Sequence, residues 1–180
     1  TTKLLSLGHI QFDEMLKAYT EQISGLIAGG ADMLQIETCQ DPLQIKAAVQ
    51  AAHAAFAIQN RRVPIFVQVT IETMGTMLVG SDISSALVGI ESLAVEGVGM
   101  NCATGPDLMK EHIRFLGASS TKYVLCLPNA GLPRNVNGKA VYDLTADQLA
   151  QALRHFIQDY RINLVGGCCG TTPEHIAAVC

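Results

Sequence analysis

The sequence lacks an excess of basic residues and any long run of apolar residues. Of its 180 residues, 12 are Lys or Arg and 16 are Asp or Glu, which gives a net charge of −4. The absence of a basic stripe argues against a nucleic acid or an anionic membrane surface as a partner. No uninterrupted apolar stretch is long enough to span a bilayer, so a membrane protein is not expected.

Further absences narrow the class of enzyme. No glycine-rich dinucleotide fingerprint follows any predicted strand, which argues against a nucleotide-binding doubly wound sheet. The five histidines show no spacing typical of metal ligands. All lysines fall in predicted loops and helices, so a lyase or aldolase with a Schiff-base lysine inside a barrel is disfavoured.

What the sequence does contain is a regular alternation of short apolar runs with amphipathic segments. Hydrophobic residues make up 49% of the chain, which is enough for one domain with a buried core. Each of five strand-like runs is followed by a predicted helix, and this order indicates parallel strands joined by crossover helices. A long loop is predicted over residues 129–138. The predicted strands cover residues 33–37, 64–72, 98–102, 123–128 and 163–167.

Residues typical of helix starts precede several amphipathic segments. Asp41 before Pro42 predicts a capped start with proline at the first helical position. Ser81 is the predicted cap of the next helix. Thr145 and Gln148 form a capping-box pattern for a later helix.

The placement of polar residues favours a barrel over a doubly wound sheet. Gln35 and Glu37 share one face of the first predicted strand, as Gln68 and Thr70 do in the second. Polar side chains that face one way from consecutive strands suit a barrel lumen near its rim. The chain is therefore predicted to be an α/β protein with part of a (β/α)8 TIM barrel. A complete barrel needs roughly 250 residues and eight strands, so about three strands would lie outside residues 1–180.

The most specific feature is an adjacent pair, Cys168 and Cys169, in the sequence Gly-Gly-Cys-Cys-Gly. A disulfide between neighbours would need a strained geometry, whereas flanking glycines permit a turn that brings both sulfurs to one ion. Cys102, at the end of another predicted strand, is the third candidate ligand. Cys102 is too far from the pair in sequence for a zinc finger, whose ligands come in close pairs. The separation instead suits ligands at the ends of two strands, because all strand ends of a barrel surround one opening. Three thiolates suit zinc and leave its fourth position open.

Three thiolates donate more charge to zinc than three histidines would, so binding of a substrate thiol is favoured over activation of water. Such a thiolate would be an electron-rich nucleophile, and alkyl transfer to a thiol is the predicted reaction class. The alternative is a structural zinc module in which Cys39 or Cys126 supplies a fourth thiolate. Otherwise Cys39, Cys126 and Cys180 are interpreted as packing residues. The cysteine usage indicates reduced thiols in a cytoplasmic protein.

An amino-acid thiol would need further anchors at the strand ends. Glu37 is the candidate that would receive an ammonium group. Backbone N–H groups at the helix starts near Pro106 or Pro173 would receive a carboxylate. Glu72 is a second candidate carboxylate, although a rim position without a ligand explains it equally well.

At these residues the sequence resembles the homocysteine S-methyltransferase family, and within it the homocysteine-binding modules of cobalamin-dependent methionine synthases. The resemblance is specific because the single cysteine and the cysteine pair fall in order at strand ends. The matching stretches are LLSLG at 4–8, IETCQD at 36–41, GMNC at 99–102, PNAGLP at 128–133 and GGCCGTTPEHI at 166–176.

The resemblance implies a (β/α)8 barrel whose zinc is held by Cys102, Cys168 and Cys169. It implies homocysteine as the methyl acceptor and methionine as the product. Glu37 matches a carboxylate that contacts the homocysteine amino group. Asn129 matches a position in a loop near the substrate, and both residues are predicted to bind substrate.

The sequence also departs from the family pattern. The first strand of the family carries an Asp-Gly motif that is absent here, so residues 1–180 are expected to cover about five C-terminal βα units of a longer chain. Residues 1–180 also contain no folate or cobalamin module. Methylcobalamin is the expected methyl donor, and domains outside this chain are expected to bind it. Betaine or S-methylmethionine is the alternative donor. Residues 1–180 are not expected to catalyse methyl transfer alone.

Overall fold

Five parallel strands form the main sheet of the protein, for which a computed structural model describes residues 3–180. Residues 1 and 2, which the sequence assigned to the same domain, lie outside the described residues. The strands of this sheet are β1 (Leu34–Cys39), β2 (Ile65–Val69), β3 (Gly97–Asn101), β4 (Tyr123–Leu127) and β7 (Leu164–Val165).

The strand order is β1-β2-β3-β4-β7, and every neighbouring pair is parallel. Each strand of the sheet therefore pairs with the next one along the chain. A doubly wound sheet would instead reverse its order at a switch point. The sheet order confirms the predicted α/β fold and fits one section of a barrel wall.

Helices connect the strands, as the alternation of segments predicts. Among residues 3–180, no helix combines the length and hydropathy needed to cross a bilayer. The helical elements are a 3₁₀ turn at Leu5–Leu7, α1 (Phe12–Ala28), α2 (Pro42–Gln59), α3 (Ile83–Glu91), α4 (Pro106–Ser119), α5 (Ala146–Tyr160) and α6 (Pro173–Val179).

Two of the three predicted helix caps are confirmed. The Asp41 side chain accepts a hydrogen bond from the Leu43 N–H at the start of α2, and Thr145 forms a reciprocal capping box at the start of α5. The prediction of Ser81 as the cap of α3 is wrong. Asp82 caps that helix, because its carboxylate accepts from the Ser85 N–H at 2.8 Å.

The two faces of the sheet have different compositions. Ile65, Val67 and Val69 of β2 belong to the apolar core that the sheet forms with the helices. The opposite face, which would line a barrel lumen, carries Phe66 and Gln68, and both are buried. This alternation follows from the two-residue period of a strand.

Glycines on β3 make room for large side chains on the lumen face. A Cβ atom at Gly97 would lie 2.4 Å from the Phe66 ring, and one at Gly99 would lie 2.6 Å from the Cβ atom of Leu125. These distances are below ordinary van der Waals contact. Phe66 and Leu125 therefore fill the space over β3.

Polar side chains continue the lumen face toward the strand ends. The Gln35 amide donates to the Gln68 Oε1 at 2.9 Å, and the Thr70 hydroxyl donates to the Asn101 carbonyl at 3.0 Å. The shared polar face inferred from the sequence is therefore present. The predicted second strand is too long, however, since β2 ends at Val69 and Glu72 lies in the following turn.

The segment predicted as a loop over 129–138 contains part of a hairpin. Its strands are β5 (Arg134–Val136) and β6 (Lys139–Val141), which pair antiparallel. Asn137 and Gly138 connect them with φ values of 53° and 80°. An Asn-Gly pair is the common solution for a two-residue hairpin turn with left-handed residues. The sequence therefore contained the signal for this hairpin.

Candidate metal centre

Three cysteine sulfurs converge at the carboxyl end of the sheet. The Sγ atoms of Cys102, Cys168 and Cys169 all lie within 4.8 Å of one another. The Cys102–Cys169 sulfur distance is 3.7 Å and the Cys168–Cys169 distance is 4.0 Å. Cys102 directly follows β3, and the pair follows β7. Because β4 lies between these two parallel strands, both carboxyl ends reach the same edge of the sheet.

The spacing of the sulfurs fits a tetrahedral zinc ion. Zinc binds thiolate sulfur at about 2.3 Å, and a tetrahedral angle then separates two sulfurs by about 3.8 Å. The observed separations of 3.7 and 4.0 Å match this value. All three cysteines are free thiols in the structure. The cluster opens toward solvent, because Cys169 is exposed and the other two are half-buried.

Two of the three thiols, Cys102 and Cys168, lose their protons less readily than a free cysteine does. Burial, together with the nearby Cys102, raises the pKa of the Cys168 thiol to about 12. Burial also raises the pKa of Cys102. Three thiolates this close would repel one another, whereas a divalent cation offsets their charge and favours deprotonation.

Cys102 is presented by an unusual turn. Cys102 and Ala103 have φ values of 64° and 57°, in the left-handed region that L-residues rarely adopt. The Cys102 N–H donates to the Leu127 carbonyl at 3.2 Å, and the Thr104 N–H donates back to the Cys102 carbonyl at 2.7 Å. Such strain costs about 1–3 kcal/mol per residue and typically marks functional sites.

The cysteine pair is held by the chain that follows β4. The Cys168 N–H donates to the Pro128 carbonyl at 2.8 Å, and the Ala130 N–H donates to the Cys169 carbonyl at 2.9 Å. These bonds fix the backbone on both sides of the pair. The two bonds therefore help to place both sulfurs near Cys102.

The glycines around the pair are required by close contacts. A Cβ atom at Gly167 would lie 2.4 Å from the Thr171 side chain. Gly170 has a φ of 80°, and a Cβ atom there would lie 2.2 Å from the Tyr142 ring. The glycine setting that first suggested a turn therefore has specific steric causes.

Asn129, predicted to bind substrate, lies directly behind the pair. Its side chain is buried, and its Oδ1 accepts a hydrogen bond from the Cys169 N–H at 3.0 Å. This contact gives Asn129 a structural role that the sequence did not indicate. Its contact with a substrate stays a prediction.

Glu37, the other predicted substrate-binding residue, is exposed on β1. It lines a groove of about 280 Å³ between β1 and α1, beside Tyr19 and Gln22. The structure does not place its carboxylate within the sulfur cluster. The next residue, Thr38, is nevertheless hydrogen-bonded to Asn101, which adjoins the cluster.

Asn101 and Tyr142 are residues near the cluster that the sequence interpretation missed. The Asn101 amide donates to the Cys168 sulfur at 3.7 Å. The Tyr142 ring packs over Gly170, and partial burial and then the nearby Cys169 raise the pKa of its phenol. A polar residue directly before Cys102 was a signal for the first. No sequence signal pointed to Tyr142, which follows the hairpin that was predicted as a loop.

The remaining cysteines lie away from the cluster. Cys39 and Cys126 are fully buried in the core between the sheet and the helices, which confirms their interpretation as packing residues. The same interpretation is wrong for Cys180, whose side chain is exposed at the end of α6. Neither buried cysteine is placed to supply a fourth ligand at the carboxyl end of the sheet.

Comparison with known proteins identifies related sequences over the whole chain. A family model described as homocysteine S-methyltransferase matches residues 1–180. A methionine synthase of Mycobacterium leprae is 50% identical over 178 residues, and one of Mycobacterium tuberculosis is 49% identical over 178 residues. Each alignment covers 99% of this chain but only 15% of the relative. The chain thus spans about one seventh of the length of these relatives.

Solved structures with the same fold include a homocysteine methyltransferase, MmuM, from Escherichia coli. Its apo form matches with a TM-score of 0.75 and 22% identity, covering 95% of this chain and 57% of that one. Its metallated form matches with a TM-score of 0.69 and 22% identity, covering 91% and 51%. At this identity the likeness establishes the fold.

Proposed function

Because the chain belongs to the homocysteine S-methyltransferase family, we propose that Cys102, Cys168 and Cys169 hold a zinc ion at which homocysteine is methylated to methionine. The observation that carries this proposal is the convergence of the three sulfurs within 4.8 Å at the carboxyl end of the sheet. Active sites of βα barrels lie at that end. Residues 1–180 would form part of the homocysteine-binding barrel domain.

The three cysteine thiolates determine which chemistry a bound zinc ion would support. When bound, zinc would lower the pKa of the substrate thiol and keep it as a thiolate at neutral pH. The three cysteine thiolates bring three negative charges to the site, so an incoming sulfur stays electron-rich. In the reaction this sulfur gives an electron pair to the methyl carbon, its proton leaves to solvent, and the donor keeps the electron pair of the broken bond.

The amino group of homocysteine needs a partner of opposite charge. Glu37 is exposed at the carboxyl end of β1, next to the residue that Asn101 binds. A carboxylate there would accept the ammonium group while the sulfur reaches the three cysteines. Asn129 would act on the same site from behind, through the Cys169 backbone that it holds.

The methyl donor is proposed to be methylcobalamin, held by modules outside residues 1–180. The support is the length of the methionine synthase relatives, of which this chain matches only 15%. Folate and cobalamin modules would occupy other parts of such a protein. Turnover of the full-length protein with methylcobalamin supports this donor, whereas turnover only with betaine or S-methylmethionine would replace it.

X-ray absorption at the zinc edge tests the proposal on the full-length protein. We expect three sulfur ligands and one lighter atom at rest, and four sulfur ligands after homocysteine is added. Four sulfurs at rest that homocysteine leaves unchanged would indicate a structural zinc module instead. A protein without stoichiometric zinc would overturn the proposal. The variant Cys180→Ala serves as the control, since that exposed thiol lies outside the cluster.

A further inference from the structure

Asn101 is a fully buried polar residue at the end of β3, directly before Cys102. A buried amide is costly unless its donors and acceptor are satisfied. Its position on the lumen face excludes it from the apolar core under the helices. The partners of its side chain therefore indicate what it does.

The Asn101 side chain has partners in two separate segments, Thr38 on β1 and Cys168 in the turn after β7. Its Oδ1 accepts from the Thr38 N–H at 2.8 Å, and its Nδ2 donates to the Thr38 hydroxyl at 2.8 Å. The same Nδ2 lies 3.7 Å from the Cys168 Sγ. An amide nitrogen carries two hydrogens, so it can serve the hydroxyl and the sulfur together.

We propose that Asn101 is a positioning residue that fixes Cys168 at the metal centre and joins it to the strand end that carries Glu37. This inference rests on the proposed zinc site. A hydrogen bond to a thiolate is stronger than one to a thiol, because the acceptor is charged. The contact with Cys168 therefore strengthens when the three cysteines bind a cation, and it withdraws charge from one of the three sulfurs.

The hydrogen bonds to Thr38 give Asn101 a second role, which concerns the substrate rather than the metal. Thr38 has a φ of 56°, and the pairing of β1 with β2 shifts register between Ile36 and Cys39. The two bonds from Asn101 hold this irregular strand end in place. Glu37 precedes Thr38, so the same side chain sets the position of the proposed ammonium acceptor relative to the sulfur site.

The variant Asn101→Asp separates the two contacts. An aspartate has nearly the same shape, and its oxygens can accept from the Thr38 N–H and from a reoriented Thr38 hydroxyl. It has no N–H to offer Cys168 and would repel that sulfur. We therefore expect β1 to stay in place while zinc affinity falls about 10- to 100-fold, the range typical of partners that orient metal ligands.

The control is Thr70→Val, which is close to isosteric. The Thr70 hydroxyl binds the Asn101 backbone carbonyl at 3.0 Å and does not reach its side chain. This change should lower the stability of the metal-free protein without altering zinc affinity beyond about twofold. A general loss of packing around Asn101 would instead lower zinc affinity in both variants.

The experiment measures zinc affinity by chelator competition and the sulfur-to-cobalt charge-transfer band after Co²⁺ substitution, all in the full-length protein. In Asn101→Asp the band should move to lower energy, because Cys168 has lost its hydrogen bond. An unchanged band and affinity would overturn this inference while leaving the zinc site intact. A wild-type protein that binds no zinc would instead defeat the proposed function.

A measurement on the wild type keeps the inference testable if Asn101→Asp does not fold. With ¹¹³Cd²⁺ at the site, the Asn101 side-chain amide protons should shift downfield on metal binding and show coupling to cadmium through the sulfur. Amide signals that do not change on metal binding would contradict a hydrogen bond to Cys168.

Discussion

The side chain of Asn129 holds the backbone of Cys169: its Oδ1 accepts the Cys169 N–H at 3.0 Å. We predict that Asn129→Ala lowers the free energy of unfolding of the metal-free protein by about 1–3 kcal/mol, because the N–H loses its partner. Zinc affinity should fall as well, since the Cys169 backbone is no longer fixed. Urea unfolding and chelator competition measure the two effects.

Asn135→Ala is a matched control for this change. The Asn135 Oδ1 also accepts a backbone N–H, that of Gly138 at 2.9 Å, but in the exposed hairpin turn. Its loss should lower stability by less and leave zinc affinity unchanged. Equal zinc affinity in wild type and Asn129→Ala would show that the contact does not position the pair.

The three clustered cysteines are predicted to be required together for metal. Removing any one leaves two thiolates, too few for the site that the spacing of the three sulfurs fits. Cys102→Ala, Cys168→Ala and Cys169→Ala should each lose stoichiometric zinc, measured by elemental analysis of the purified full-length protein. Cys180→Ala should keep it. A full complement of zinc in Cys169→Ala would refute the ligand assignment.

The fold and the cysteine triad were accessible from the sequence for physical reasons. Alternating apolar runs and helix caps predict parallel βα units, and the carboxyl ends of their strands lie at one edge of the sheet. The spacing in sequence of Cys102 from the pair at Cys168 then follows from β4 lying between their strands. Because parallel strands end at the same edge, cysteines that directly follow these strands are brought close together.

The roles of side chains whose partners are far from them in sequence could not be predicted. Asn101 binds Thr38 and Cys168, which are far from it in sequence, so its position directly before Cys102 could not reveal these partners. Asn129 was predicted to bind substrate from the family resemblance alone, and its bond to the Cys169 N–H could not be predicted because it depends on tertiary packing. Helix boundaries were limited in the same way, since Ser81 and Asp82 are both good caps.

The glycines beside the pair should differ in their tolerance of a methyl group. Gly167→Ala places a Cβ atom 2.4 Å from the Thr171 side chain, whereas the nearest atom at Gly166→Ala is a Leu127 carbon at 3.4 Å. Overpacking typically costs about 1–3 kcal/mol. We expect thermal unfolding to show that loss for Gly167→Ala and little change for Gly166→Ala. Similar melting temperatures for both variants would contradict the local geometry.

The buried thiol of Cys39 predicts how the metal-free protein responds to alkaline pH. Burial raises its pKa from 9.0 to about 12. Between these values the unfolded chain releases a proton that the folded chain retains, so the free energy of unfolding decreases as pH rises. The decrease approaches about 1.4 kcal/mol per pH unit for one thiol. Below pH 9 this contribution is fully present.

Comparison with Cys39→Ala isolates this effect from other groups that titrate at high pH. The variant is less stable at neutral pH, because a buried side chain has been truncated. The difference between wild type and variant should then shrink as pH rises from 9 toward 12. Urea unfolding at several pH values, with a reductant present, measures this difference. If it stays constant over that range, the Cys39 thiol does not keep its proton in the folded protein.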